Sequence, residues 1–154
     1  MQNLNYLIDS KDLGITRPKL YVIATNFNTL SDFFRNKYIK DKENFSSNYA
    51  GAVSLFVGDT SKNSIYKKNI TVYGNTEYKN LLSKNYINIK LTKKILKNNN
   101  KIFVNEFINS EKKNPSDIIE IHNRPNYVKF IKNTTKSKIT LFFHNDPLQM
   151  NGSS

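Results

Sequence analysis

Five short runs constrain this chain more than anything else in it: "LYVIAT" (20–25), "NITVYG" (69–74), "YINIKL" (86–91), "DIIEIH" (117–122) and "KITLFFH" (138–144). Each is at least half apolar, rich in β-branched or aromatic residues, and too short for a stable helix. Near-continuous apolar strands belong in sheets covered on both faces. The segments between them change period. "AGAVSLFVGDTSK" (50–62) puts Val53, Phe56, Val57 and Thr60 on one helical face, and "IFVNEFINSEKK" (102–113) has apolar residues at 103, 104, 107 and 108 before Pro115 stops it. "TEYKNLLSK" (76–84) and "NYVKFIKNT" (126–134) also read as helices. Strand and helix in alternation predict an α/β class, a Rossmann-like parallel sheet with helices on both faces.

With 154 residues the chain has room for one ordinary domain. Residues 1–18 read as a polar lead-in closed by Arg17-Pro18, and 19–154 as the domain. The stretch from 26 to 49, rich in Phe, Tyr and Lys, reads as a long connection of the kind that is functional or partly helical. There is no cysteine, so disulfides and thiolate metal sites are excluded, in keeping with a reducing, cytoplasmic setting. The N-terminus lacks the basic start and apolar core of a secretion signal. No apolar run reaches the roughly 18 residues that span a bilayer.

The net charge of +12 invites a nucleic-acid reading. The composition argues against it. Arginine occurs only at 17, 35 and 124, the lysines are scattered, and Lys, Asn and Ile are used together as an AT-rich genome would use them. Directed phosphate or base recognition favours arginine forks. A milder expectation remains, attraction of the lysines to anionic headgroups on the inner face of a membrane.

Two runs end alike. "DIIEIHNRP" and "LFFHNDP" each close on His-Asn-x-Pro, and they hold the only two histidines, His122 and His144. In a parallel sheet all strands end at one edge, where ligands bind. His122 and His144 therefore reach the same rim, one strand–helix–strand unit apart. Asn123 and Asn145 read as helix N-caps, and Pro125 and Pro147 as first-turn residues. Gly51 opens the helix after the first strand, where backbone N–H groups and the helix dipole favour an anion. Gly58, inside that helix, reads as a close-packing position against the sheet.

Taken in order, "NYAGAVSLFVGDTSK…YKKNITVYGN", "DIIEIHNRPNYVKFI" and "ITLFFHNDPLQMNGS" resemble the N-terminal half of bacterial retaining glycosyltransferases of family 4, of the lipopolysaccharide and spore-coat type. The resemblance covers 19–154 and implies a GT-B fold, in which this part is the acceptor-side domain. It implies that Ala50 and Gly51 approach the donor diphosphate, although the family often has paired glycines there. It implies that His144 contacts the donor sugar near the reacting carbon, as the catalytic and donor-binding histidine. His122, Asn123 and Arg124 would face the acceptor. No metal or other cofactor is implied; a nucleotide-sugar is the co-substrate. The implied partners are that donor and a glycan or lipid-linked acceptor in cell-envelope synthesis. The family's donor domain, with its Glu-x7-Glu motif, lies outside these residues, so the resemblance implies that they transfer no sugar alone.

Two other classes compete. A basic Rossmann-like module binding nucleic acid or anionic membrane would depend on clustered lysines and weaken steeply with salt. A dinucleotide-dependent oxidoreductase would need a glycine-rich fingerprint, and none is present.

Overall fold

A computed structural model describes residues 19–23, 44–91, 99–146 and 148; the lead-in at 1–18 and most of the 26–49 connection lie outside them. Five parallel strands, β1 (Leu20–Ile23), β2 (Ile70–Gly74), β3 (Tyr86–Asn88), β4 (Ile118–His122) and β5 (Lys138–Phe142), form one sheet in the order β3-β2-β1-β4-β5. Helix α1 (Ala52–Asn63) lies between β1 and β2 in sequence, α2 (Asn99–Lys113) between β3 and β4, and α3 (Pro125–Lys132) between β4 and β5. This is the α/β Rossmann-like arrangement expected from the alternating pattern.

Burial explains the strand compositions. β1 and β4 are buried along their whole length, whereas edge strands β3 and β5 are half-exposed. Register places Val72, Val22, Glu120 and Thr140 in one row across the sheet, and successive residues alternate faces. Tyr21, Ile23, Tyr73, Ile119 and Ile121 pack on one face against Phe103, Val104, Phe107 and Ile108 of α2 and Tyr127 and Ile131 of α3. Leu20, Val22, Ile70, Val72 and Ile118 pack on the other with Val57 of α1 and Phe45. Helices therefore cover both faces. At the centre of the first core, the Phe107 ring meets Tyr21 and Tyr73 edge-on at 6.3 and 5.0 Å. The two phenols stay satisfied: Tyr21 donates to the Asn114 carbonyl and Tyr73 lies 2.9 Å from Ser110 Oγ. Burial still pushes the Tyr73 phenol up to about 12.

The edge of the sheet at which the strands begin is tied by a carboxylate. Glu111, buried near the end of α2, accepts from the Ser116 backbone N–H at 3.1 Å and Thr135 Oγ1 at 2.9 Å, with Ser137 Oγ 2.7 Å away. These contacts hold the entries to β4 and β5 against the helix.

Several expectations need correction. Residues 76–84 form no helix: Phe45 and Ser47 exchange backbone hydrogen bonds with Leu82 and Asn80, and Ser46 bridges Leu81. A tertiary pairing thus takes the groups a helix would have used. The third strand is only Tyr86–Asn88; beyond it the Ile89 carbonyl accepts from the Asn75 side chain, and the Asn88 carboxamide bonds both the N–H and the carbonyl of Thr76. The buried stripe of α1 is Ser54, Val57, Gly58 and Ser61, with Val53 and Phe56 flanking it. Gly58 is a close-packing position, but against Leu82 rather than the sheet; a Cβ there would stand 3.0 Å from Leu82 Cβ.

Tyr86 stacks flat on Phe45 with centroids 5.0 Å apart, yet its buried hydroxyl has no hydrogen-bond partner among the described residues. A buried, unpaired hydroxyl costs about 1–3 kcal/mol. Tyr86→Phe keeps the stack and removes that cost, so it is expected to stabilise the protein by about 1 kcal/mol, read from the urea midpoint.

Candidate functional site

The strand order reverses between β1 and β4. Connections lead outward from β1 through β2 to β3, then return to β4 and lead outward to β5. Such a switch point leaves a crevice beyond the carboxyl ends of the two diverging strands. His122 is the last residue of β4 and therefore sits at that point.

The two histidines meet. His122 Nδ1 lies 2.6 Å from His144 Nε2, and His122 Nε2 lies 2.6 Å from Glu120 Oε1. His144 is not the last residue of its strand, as the sequence suggested; β5 ends at Phe142, and the two extra residues carry His144 across to β4. Phe142 then stacks on His122 at 5.2 Å and 9°. Phe56 of α1 closes the site from the side, its ring edge-on to His144 at 5.0 Å and tilted against His122 at 6.0 Å. His122 is wholly buried and Glu120 is 5% exposed, whereas His144 opens to solvent.

Asn123 has a different task from the expected N-cap. Arg124 is the N-cap residue of α3 and makes no side-chain cap bond, while Pro125 does occupy the first turn. Asn123 instead adopts φ 52°, a left-handed conformation that asparagine tolerates better than most residues. That turn aims its carboxamide at the neighbouring strand end, where Oδ1 accepts from the His144 backbone N–H at 2.7 Å. Its own N–H donates to the Phe142 carbonyl at 2.8 Å. Asn123 is thus the clamp that holds His144 beside His122. After β5, Asp146 rather than Asn145 plays the turn-forming part, accepting from the Leu148 N–H at 3.0 Å; Pro147 lies outside the described residues.

His122, Asn123 and His144 are therefore brought together, with Arg124 beginning the next helix. Both ring nitrogens of His122 and the Oδ1 of Asn123 are engaged with other residues of the chain, so among the described residues His144 is the one of the pair with a ring nitrogen not so engaged. Ala50 and Gly51 stand at the N-terminus of α1, five residues before Phe56 in the case of Gly51. Gly51 has φ −80° and ψ 171°, ordinary extended backbone, so its conformation alone does not require glycine.

Glu120 was missed in the sequence, and the signal was there. A carboxylate inside the central run "DIIEIH" is costly unless paired. Its partner had to lie on the same strand face, and His122, two residues on, is that partner. No group of three or more metal-ligating side chains among the described residues is placed to hold a metal ion. The facing ring nitrogens at 2.6 Å leave no space between them for an ion that needs about 2.0 Å to each.

Burial lowers the His144 pKa below its ordinary 6.5, and His122 lowers it further, while Glu120 opposes both. His144 is therefore neutral at pH 7. Comparison with protein-family models, curated proteins and solved structures returned no match.

Two outcomes follow. Asn123→Ala loses the clamp and strains the left-handed backbone, and is expected to cost about 1–3 kcal/mol; Asn123→Gly keeps the backbone and should cost less. Urea denaturation of both variants separates the two contributions. The unfolded chain protonates His144 near its ordinary 6.5, before the folded protein does. Stability from this group is present above that pH and lost as pH falls through the lower native value. Urea midpoints should decline over that window in the wild type and less in His144→Gln.

Proposed function

We propose that this domain forms the acceptor-side half of a sugar-transfer site, in the manner of retaining family 4 glycosyltransferases with a GT-B fold. The observation that carries the reading is the exposed His144, joined to buried His122 at the switch point of a parallel sheet. A sugar offers several hydroxyls and an apolar C–H face. A neutral imidazole bonds the former, and the Phe56 ring beside it suits the latter.

The remaining chemistry of transfer is loss of a diphosphate from the sugar carbon as an acceptor hydroxyl attacks. Negative charge grows on the departing phosphate oxygens. N–H groups at the start of α1, at Ala50 and Gly51, are suited to that charge. The nucleotide would rest mainly on a second domain, and a glycan or lipid-linked acceptor of the cell envelope would approach past Arg124, whose guanidinium fork suits a phosphate or carboxylate. The lysine-rich surface agrees with work beside an anionic membrane, and no helix among the described residues is long and apolar enough to cross one.

The test is sugar transfer by the whole product of the gene, assayed against a panel of nucleotide-sugars. His144→Ala is expected to lower kcat/KM by at least about a hundredfold with the fold intact by circular dichroism. Absence of transfer from every donor, or unchanged turnover in His144→Ala, would overturn the assignment.

A further inference from the structure

The hydrogen bonds at 2.6 Å form a chain with one end buried and the other in the crevice. A carboxylate only accepts, so the Glu120 oxygen requires a proton on His122 Nε2, and a His122 ring with that single proton sets the direction of the next bond. His122 donates from Nε2–H to Glu120 Oε1. With that as the ring's one proton, Nδ1 is bare and accepts from His144 Nε2–H. Among the described residues that leaves the Nδ1 lone pair of the exposed His144 without a partner. The polarity of the exposed imidazole is set two residues away, inside the sheet.

We infer that Glu120 is a positioning residue which, acting through His122, holds His144 as a hydrogen-bond acceptor at Nδ1 directed at a substrate hydroxyl. Such a lone pair attracts an O–H and repels an anionic oxygen. His144 therefore reads a hydroxyl of the sugar or of the acceptor, and the diphosphate is left to the N-terminus of α1. The naming of that hydroxyl as a sugar's rests on the sugar-transfer reading; the direction of the chain does not. The geometry is held from three sides: Phe142 stacks on His122, Phe56 abuts His144, and Asn123 anchors the His144 backbone. Among the described residues the titratable groups that act on His144 are His122 and Glu120, both from β4; α1 presents the uncharged Phe56. Protonation of His144 converts Nδ1 to a donor and abolishes the acceptor, so hydroxyl recognition fails on the acid side.

Nitrogen-detected NMR of the histidine rings in the 154-residue chain tests this without substrate. Expected are protonated, exchange-protected Nε2 in both His122 and His144 and an unprotonated His144 Nδ1 at neutral pH. A proton on His144 Nδ1, or a bare His122 Nε2, would overturn the inference from the wild-type spectrum alone. Glu120→Gln offers a donor as well as an acceptor, so the reversed chain becomes available. Both His144 tautomers should then appear, and the His144 titration midpoint should shift to lower pH as the carboxylate charge is lost. A single unchanged tautomer with an unchanged midpoint in Glu120→Gln would show that Glu120 only fills space. Failure of these spectra leaves sugar transfer standing. Failure of the transfer assay with the expected spectra removes the sugar and keeps the chain of bonds.

Discussion

The pairing of β1 with β4, from Leu20 opposite Ile118 to Ile23 opposite Ile121, is the contact on which the rest depends. It returns the chain to the middle of the sheet after β2 and β3 have been laid outward. Both strands are thereby buried on two faces, which their compositions, Leu-Tyr-Val-Ile and Ile-Ile-Glu-Ile-His, tolerate at every position but two. Those two, Glu120 and His122, become the foundation of the site.

Placing a carboxylate and an imidazole in a sheet interior is unfavourable until every polar atom is paired. Here pairing is arranged along one strand face and then across to the next strand. Glu120 takes one nitrogen of His122, and His144 takes the other. The low dielectric that penalises an unpaired group also strengthens a complete chain. Removal of the middle member would take from the buried Glu120 its ion-pair partner, which is why substitutions at Glu120 and His144 are more informative than truncation of His122.

The candidate site occupies one edge of the sheet, and the stabilising Glu111 cluster the opposite one. Glu111 gathers hydroxyls and a backbone N–H from the entries to β4 and β5. The two buried glutamates thus do different work. One ties loops to a helix, and the other begins a chain that ends at solvent.

Much of this was readable in advance. Period and residue type located all five strands, the apolar face of α2 at 103, 104, 107 and 108, and the first-turn role of Pro125, because short-range sterics and burial act through neighbours in sequence. The repeated His-Asn-x-Pro also brought both histidines to one rim. The reading failed where a residue's partner lay far along the chain. Asn123 looked like a cap until the end of β5 stood beside it, and 76–84 looked helical until Phe45 and Ser47 claimed its backbone. Sequence alone determined the class of fold and the edge at which the two histidines gather. Tertiary structure decided that Glu120 belongs to the site, that His122 is hidden and that His144 is the group left facing outward. Hydrogen-bond direction and burial are properties of three-dimensional neighbours, and no local pattern carries them.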